Sequence, residues 1–199
     1  DLYKKLFNLD GTRVEIHRDS NGKITSTVIF MLCNDSPSKV IPMPLTQVCL
    51  AEYSQKNKLK MGLWAYRGMS ILNTNIPQIK ENLLTLKNTV DKNEPMFFSK
   101  GLLEMDADQY TKLDDSKKQL YDNCAMAFCL MMRKEYGEDK YILFLKRSND
   151  NYEVNLKQII GFDNYDQFDK TFKRYLVDIM RDISSGKTPD NYLQIREKK

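Results

Sequence analysis

Residues 45–71, LTQVCLAEYSQKNKLKMGLWAYRGMSI, read as a pair of strands, 45–53 and 59–71, joined by the polar turn Gln55-Lys-Asn-Lys58. With those strands in place the chain up to about Leu72 is β-rich, and the expected fold class is α+β. Alternation from Leu59 puts Lys60, Gly62, Trp64 and Tyr66 on one face, and Leu59, Met61, Leu63 and Ala65 on the other. Around the turn, Lys56, Lys58, Lys60 and Arg67 stand among Tyr53, Tyr66 and the single tryptophan, Trp64. A face of that composition can stack bases and neutralise phosphates. The competing reading packs Trp64 and Tyr66 into a second core layer and leaves the lysines to guard an edge or a turn.

Upstream, Val14 and Ile16 alternate with Arg13, Glu15 and His17 in a half-buried strand, and Asn21-Gly22 suits a tight hairpin turn over 19–23. The return strand, 24–33, becomes apolar on both faces from Val28 onward and is expected at the centre of its sheet. Pro37, Pro42 and Pro44 then interrupt pairing, because proline has no amide to donate to a ladder.

Beyond Pro77 the period changes. Ile79, Leu83, Leu86 and Val90 recur at helical spacing, opposite Lys80, Glu81, Lys87 and Asp91. Asp114, Asp115 and Ser116 offer N-caps for a long helix to about Tyr136, closed by Gly137, and its stretch 124–132 is apolar nearly all round. Residues 141–145 form a short apolar run read as a strand. The last helix carries the stripe Tyr165, Phe168, Phe172, Tyr175, Leu176, Ile179 and Ile183, and Gly186 is expected to end it. The expected organisation is one α+β domain over 1–186. In it, largely antiparallel hairpins over 12–72 pack on a mainly helical part over 77–186, and a basic tail over 187–199 carries Arg196, Lys198 and Lys199.

The chain has 199 residues, 41% of them hydrophobic and 29% charged, which excludes a disordered or collagen-like protein. It contains no apolar run near the roughly 20 residues of a membrane span. The formal charge is +4, and the excess lies in the first half: residues 1–99 carry 13 Lys/Arg against 9 Asp/Glu, residues 100–199 carry 18 against 18. Cys33, Cys49, Cys124 and Cys129 form no C-x-x-C, and all but one sit in apolar runs, so buried free thiols are expected. No secretory-type segment precedes the first strand-like stretch, and the setting expected is a reducing, cytoplasmic one.

Few residue patterns point to catalysis. His17 is the single histidine and stands on the polar side of its strand, which leaves nothing for a histidine-based zinc site and one base for any triad. Eight glycines without a Walker-type or dinucleotide-binding pattern argue against nucleotide hydrolysis. Glu104, Asp106, Asp108, Asp114 and Asp115 are read as helix caps rather than as cation ligands, since negative charge is favourable at helix N-termini. Asp163, Asp166 and Asp169, three residues apart, are read as a solvated helix face. No catalytic residue, metal, cofactor or small-molecule ligand is expected.

The function expected is that of a non-enzymatic interaction or assembly protein, such as a viral or other particle subunit. Its basic β-rich half would contact an anionic partner such as nucleic acid, and copies of the chain would associate. A composition rich in Lys, Asn, Ile and Tyr is of the kind AT-rich viral, phage or parasite sources encode; for a viral subunit the location becomes the host cytoplasm or the virion. The first alternative is a dedicated nucleic-acid-binding protein using Lys56, Lys58, Lys60, Trp64, Tyr66 and Arg67, backed by Lys100 or the tail. The second is an enzyme with a carboxylate-based site.

Overall fold

Two antiparallel strands followed by helices make up the computed structural model, which describes residues 13–21, 23–30, 42–92, 94–148 and 151–185. The strands are β1 (Arg13–Arg18) and β2 (Ile24–Phe30). Arg13 pairs with Phe30 and His17 with Ser26, and the register slips between His17 and Arg18. The turn between them is held by the Asp19 carboxylate, which accepts the amides of Asn21 and Lys23, each at 2.9 Å. A hairpin at this place is as expected. The centre-of-sheet placement of β2 is not, because its one partner among the described residues is β1. Residues 31–41, with Cys33 and Pro37, lie outside the described residues, as does Gly22.

The α+β expectation is overturned from Pro42 onward. The protein is mostly helical, and residues 45–71 hold α1 (Pro42–Lys56) and α2 (Leu63–Leu72) in place of a second strand pair. In α1 the buried positions are Pro44, Gln47, Val48, Leu50, Ala51 and Ser54, which follow helical spacing. Two of them are polar, while Leu45 and Tyr53 are exposed, so the apolar residues alone do not display the period. Residues 63–68, 70 and 71 of α2 are all buried, leaving no polar face to mark a helix. Between the two, Lys58 reverses the chain in the left-handed region at φ 54°, and the Ser54 hydroxyl donates to the Leu59 carbonyl at 2.5 Å.

α3 (Ile76–Asp91) matches the sequence reading: Asn75 caps it by accepting the Gln78 amide at 2.9 Å, and Ile79, Leu83 and Leu86 are buried. Short α4 (Ser99–Leu103) and α5 (Ala107–Thr111) follow; Asp106 and Gln109 form a capping box on α5. Asp114 caps α6 (Asp115–Met131) through the Lys117 amide at 2.8 Å, and that hydrogen bond lowers its pKa. Every residue from 121 to 131 of α6 is buried, as the all-round apolar pattern requires. The helix runs on as a π-helical turn, Met132–Tyr136, and Gly137 at φ 84° ends it.

Residues 141–145 lie in α7 (Glu138–Lys146), not in a strand. Tyr141, Phe144 and Leu145 are buried and Ile142 and Leu143 exposed, a helical period that a five-residue run is too short to reveal. α8 (Tyr152–Asn155) passes into a second π-helical turn, Leu156–Ile160, and Gly161 adopts the left-handed conformation at φ 92°. α9 (Tyr165–Ser184) buries the predicted stripe, with Tyr165 half-buried. Gly186 and the basic tail lie outside the described residues.

One contiguous apolar cluster joins residues of α1 through α9. Trp64 stands inside it, fully buried, edge-on to Phe128 at 4.9 Å between ring centroids, and its indole N–H donates to the Tyr152 hydroxyl at 3.2 Å. α2 packs most extensively on α6, and it is this pairing that positions the polar site described next. Among the described residues no helix is long and apolar enough to cross a membrane.

Candidate functional site

The face predicted over 53–67 does not assemble. Trp64, Tyr66 and Arg67 are at most 4% exposed and belong to the interior, whereas Lys56, Lys58 and Lys60 are exposed around the α1–α2 connection. A helix turns its side chains by about 100° per residue, so residues two apart diverge instead of sharing a face. Of the three aromatics in the stretch, Tyr53 remains exposed. His17 is exposed on β1.

Arg67 instead lines a cleft formed by α1, α2, α3, α5 and α6, with a volume of about 510 Å³. Its Nε donates to Asp122 Oδ1 at 2.8 Å and its Nη2 to Oδ2, a bidentate ion pair that is almost completely buried. The Tyr110 hydroxyl donates to the same carboxylate at 3.0 and 3.1 Å, and the Arg67 guanidinium carbon lies 5.2 Å from the centre of the Tyr110 ring. One acid thus satisfies an arginine and a tyrosine, and the arginine rests on the aromatic ring. Breaking a buried pair supported in this way would leave one charge uncompensated, so its geometry is fixed.

The walls are mixed, with the apolar Met43 and Ile71 beside polar residues and the charged Asp115 and Lys118. Gln78 and Asn82, four residues apart on α3, line one side, with Thr74 ahead of them; Gln119 and Asn123, four apart on α6, line another. Lys118 of the lining pairs with Asp115 at 3.6 Å, a contact to a fully exposed carboxylate that contributes little. Asn123 is 1% exposed, and its side-chain Nδ2 has no hydrogen-bond partner. A buried amide donor left without an acceptor costs about 1–3 kcal/mol. The cleft volume falls within the roughly 300–1,000 Å³ typical of ligand sites.

The acidic groups weighed in the sequence do not gather. Asp106 and Asp114 cap helices, Glu104 accepts the Tyr165 hydroxyl at 2.7 Å, Asp163 pairs with Lys157 and Asp166 with Lys170. Asp169 departs from the solvated-face reading. It is half-buried and accepts the Ser99 hydroxyl at 3.0 Å; its Oδ1 has no partner, and burial raises its pKa. Among the described residues no three His, Cys, Asp or Glu side chains are grouped so as to hold a metal ion.

The sequence reading missed Tyr110, Asp122 and Asn123. A trace of them is visible in YDNCAMAFC, where two polar residues stand inside the apolar middle of a helix, a place that demands buried partners. Comparison of the chain with protein-family models, with curated proteins and with solved structures finds no match.

Proposed function

We propose that the protein is a non-enzymatic interaction protein and that the cleft beside Arg67 and Asp122 is where it holds its partner. The observation that carries this reading is a cleft of ligand size, about 510 Å³, whose inner wall is fixed by the buried Arg67–Asp122–Tyr110 network. The lining supports recognition over catalysis: the Arg67–Asp122 pair is spent on itself, and around it stand carboxamides, the apolar Met43 and Ile71, and the Asp115–Lys118 pair. The free thiols Cys49, Cys124 and Cys129 support a reducing compartment.

The test is site-specific photo-crosslinking in cells that make the protein. Gln119→p-benzoylphenylalanine, at the exposed rim of the cleft, is expected to yield an adduct of discrete mass that Lys140→p-benzoylphenylalanine, exposed on α7, does not. Identical patterns from the two positions would remove the cleft from the account.

A further inference from the structure

We infer that the outer face of α1, together with the basic residues at its C-terminal end, docks on the surface of an anionic lipid bilayer. The surface is separate from the cleft, which α1 touches through Met43 on its other side. α1 buries Pro44, Gln47, Val48, Leu50, Ala51 and Ser54, and leaves Leu45, Cys49, Glu52, Tyr53 and Lys56 exposed. At about 100° per residue these five fall within about 100° of arc, so they share one face. The outward face of a surface helix is ordinarily its charged one. Here it carries one acid and one base, and the rest is Leu45 at 47% exposure, Tyr53 at 41% and the open thiol of Cys49, which behaves as a small hydrophobe.

Cations gather at one end of that face. Lys56 closes α1, Lys58 stands in the left-handed turn and Lys60 follows it, all three exposed. Arg18 Nη1 donates to Gln55 Oε1 at 2.6 Å, which brings the end of the β1–β2 hairpin alongside. The stretches 18–23 and 52–60 thus bring Arg18, Lys23, Lys56, Lys58 and Lys60 together against two acids, Asp19 and Glu52. Asp19 is engaged by the amides of its own turn. Among the described residues no acid pairs with any of the four lysines.

An anionic bilayer uses both halves of this surface. Its headgroups attract the cations, tyrosine settles at headgroup depth with its hydroxyl in water, and lysine stems lie along apolar surface while their ammonium groups stay hydrated. A helix of 15 residues with one apolar face lies in the plane of the interface and does not cross it. A nucleic acid would use the charge and leave Leu45 and Cys49 in water. A neutral membrane would take the apolar face and leave the lysines without a counter-charge.

The test places an environment-sensitive nitrobenzoxadiazole label on Cys49 of the full chain in a Cys33→Ser background, where Cys124 and Cys129 are buried. Vesicles of phosphatidylcholine and phosphatidylserine in equal amounts are expected to brighten the label and shift its emission to the blue. Phosphatidylcholine alone should not, and high salt should reverse the change. Lys56→Ser, Lys58→Gly and Lys60→Ser combined should weaken binding by at least about tenfold. Leu45→Ser with Tyr53→Ser should weaken it several-fold while the urea midpoint stays at that of the native chain. Sedimentation with the anionic vesicles without a spectral change would overturn the inference, because charge alone would then hold the protein. A response to poly-L-glutamate with none to vesicles would overturn it in favour of an acidic protein segment, and no response to either would also overturn it.

Discussion

Gly68 of α2 lies directly against the carbonyl of Ala125 on α6: a methyl group on its α carbon would sit 2.5 Å from that oxygen and 2.7 Å from Cys129 Sγ. The two helices meet backbone to backbone at this point, and a carbonyl held in a helix cannot swing aside as a side chain can. Gly68→Ala is expected to destabilise the protein by about 1–3 kcal/mol, the usual cost of overpacking. Gly101→Ala is the comparator, because the nearest atom to its added methyl is a Phe97 ring carbon at 3.8 Å, an ordinary contact. There the gain in helix propensity, up to about 1 kcal/mol, should appear. Urea unfolding would show a lowered midpoint for the first and an equal or raised one for the second; matching midpoints would mean that α2 and α6 are not in this register.

The same helix pairing brings Arg67 to Asp122, and removing either partner leaves a buried charge alone. Arg67→Met and Asp122→Leu are each expected to cost about 3–5 kcal/mol, whereas the double variant should cost much less than their sum, because it buries no charge. Tyr110→Phe removes one hydrogen bond to a charged acceptor and should cost about 1.5–3 kcal/mol. Guanidinium unfolding of all four variants provides the measurement, and additive single effects would show that the pair does not form.

These pairs explain how much of the molecule was legible. Where apolar and polar residues segregate by face, as in α3 and α9, the period is plain and the helices stand where the sequence puts them. The β1–β2 hairpin was legible because its turn is local, held by the Asp19 carboxylate on the amides of Asn21 and Lys23. α1 and α2 were not. Gln47 and Ser54 are buried in α1, Arg67 and Ser70 in α2, and these polar residues break up the apolar pattern by which a helix is read. Their burial depends on partners distant in sequence, such as Asp122 for Arg67, which no local window contains. The cleft was illegible for the same reason, since α1, α2, α3, α5 and α6 each contribute to it.

Alkaline pH should unfold the protein early. Burial pushes the Cys124 and Cys129 thiols up to about 12 from an ordinary 9.0, and raises Tyr121, Tyr141 and Tyr175 as well. The folded chain therefore keeps protons that the unfolded chain releases above about 9, so this stability is complete below that pH and is lost as pH rises towards 12. By about pH 10.5 each thiol withdraws on the order of 2 kcal/mol. Thermal unfolding followed by circular dichroism should show a clear fall in Tm between about pH 7.5 and 10.5, and a flat profile would contradict the burial. In a Cys33→Ser background, iodoacetamide at about pH 8 should label exposed Cys49 and reach Cys124 and Cys129 only in denaturant.

Lys56, Lys58 and Lys60 remain the test of nucleic-acid binding, because they are exposed while Trp64 and Tyr66 are withdrawn into the core. Without those rings the loop offers charge but little stacking, and charge alone gives weak, salt-sensitive contact. Lys58 at φ 54° occupies a conformation that glycine adopts without strain, so Lys56→Ser, Lys58→Gly and Lys60→Ser combined should leave stability equal or slightly raised. Size-exclusion chromatography with light scattering, read at protein and nucleic-acid wavelengths before and after nuclease, should give the same elution and the same absorbance ratio for the native chain and this variant. A heavy, nuclease-sensitive species formed by the native chain and absent from the variant would instead make the loop a nucleic-acid contact, and the partner of the cleft would then have to be sought within a nucleoprotein complex.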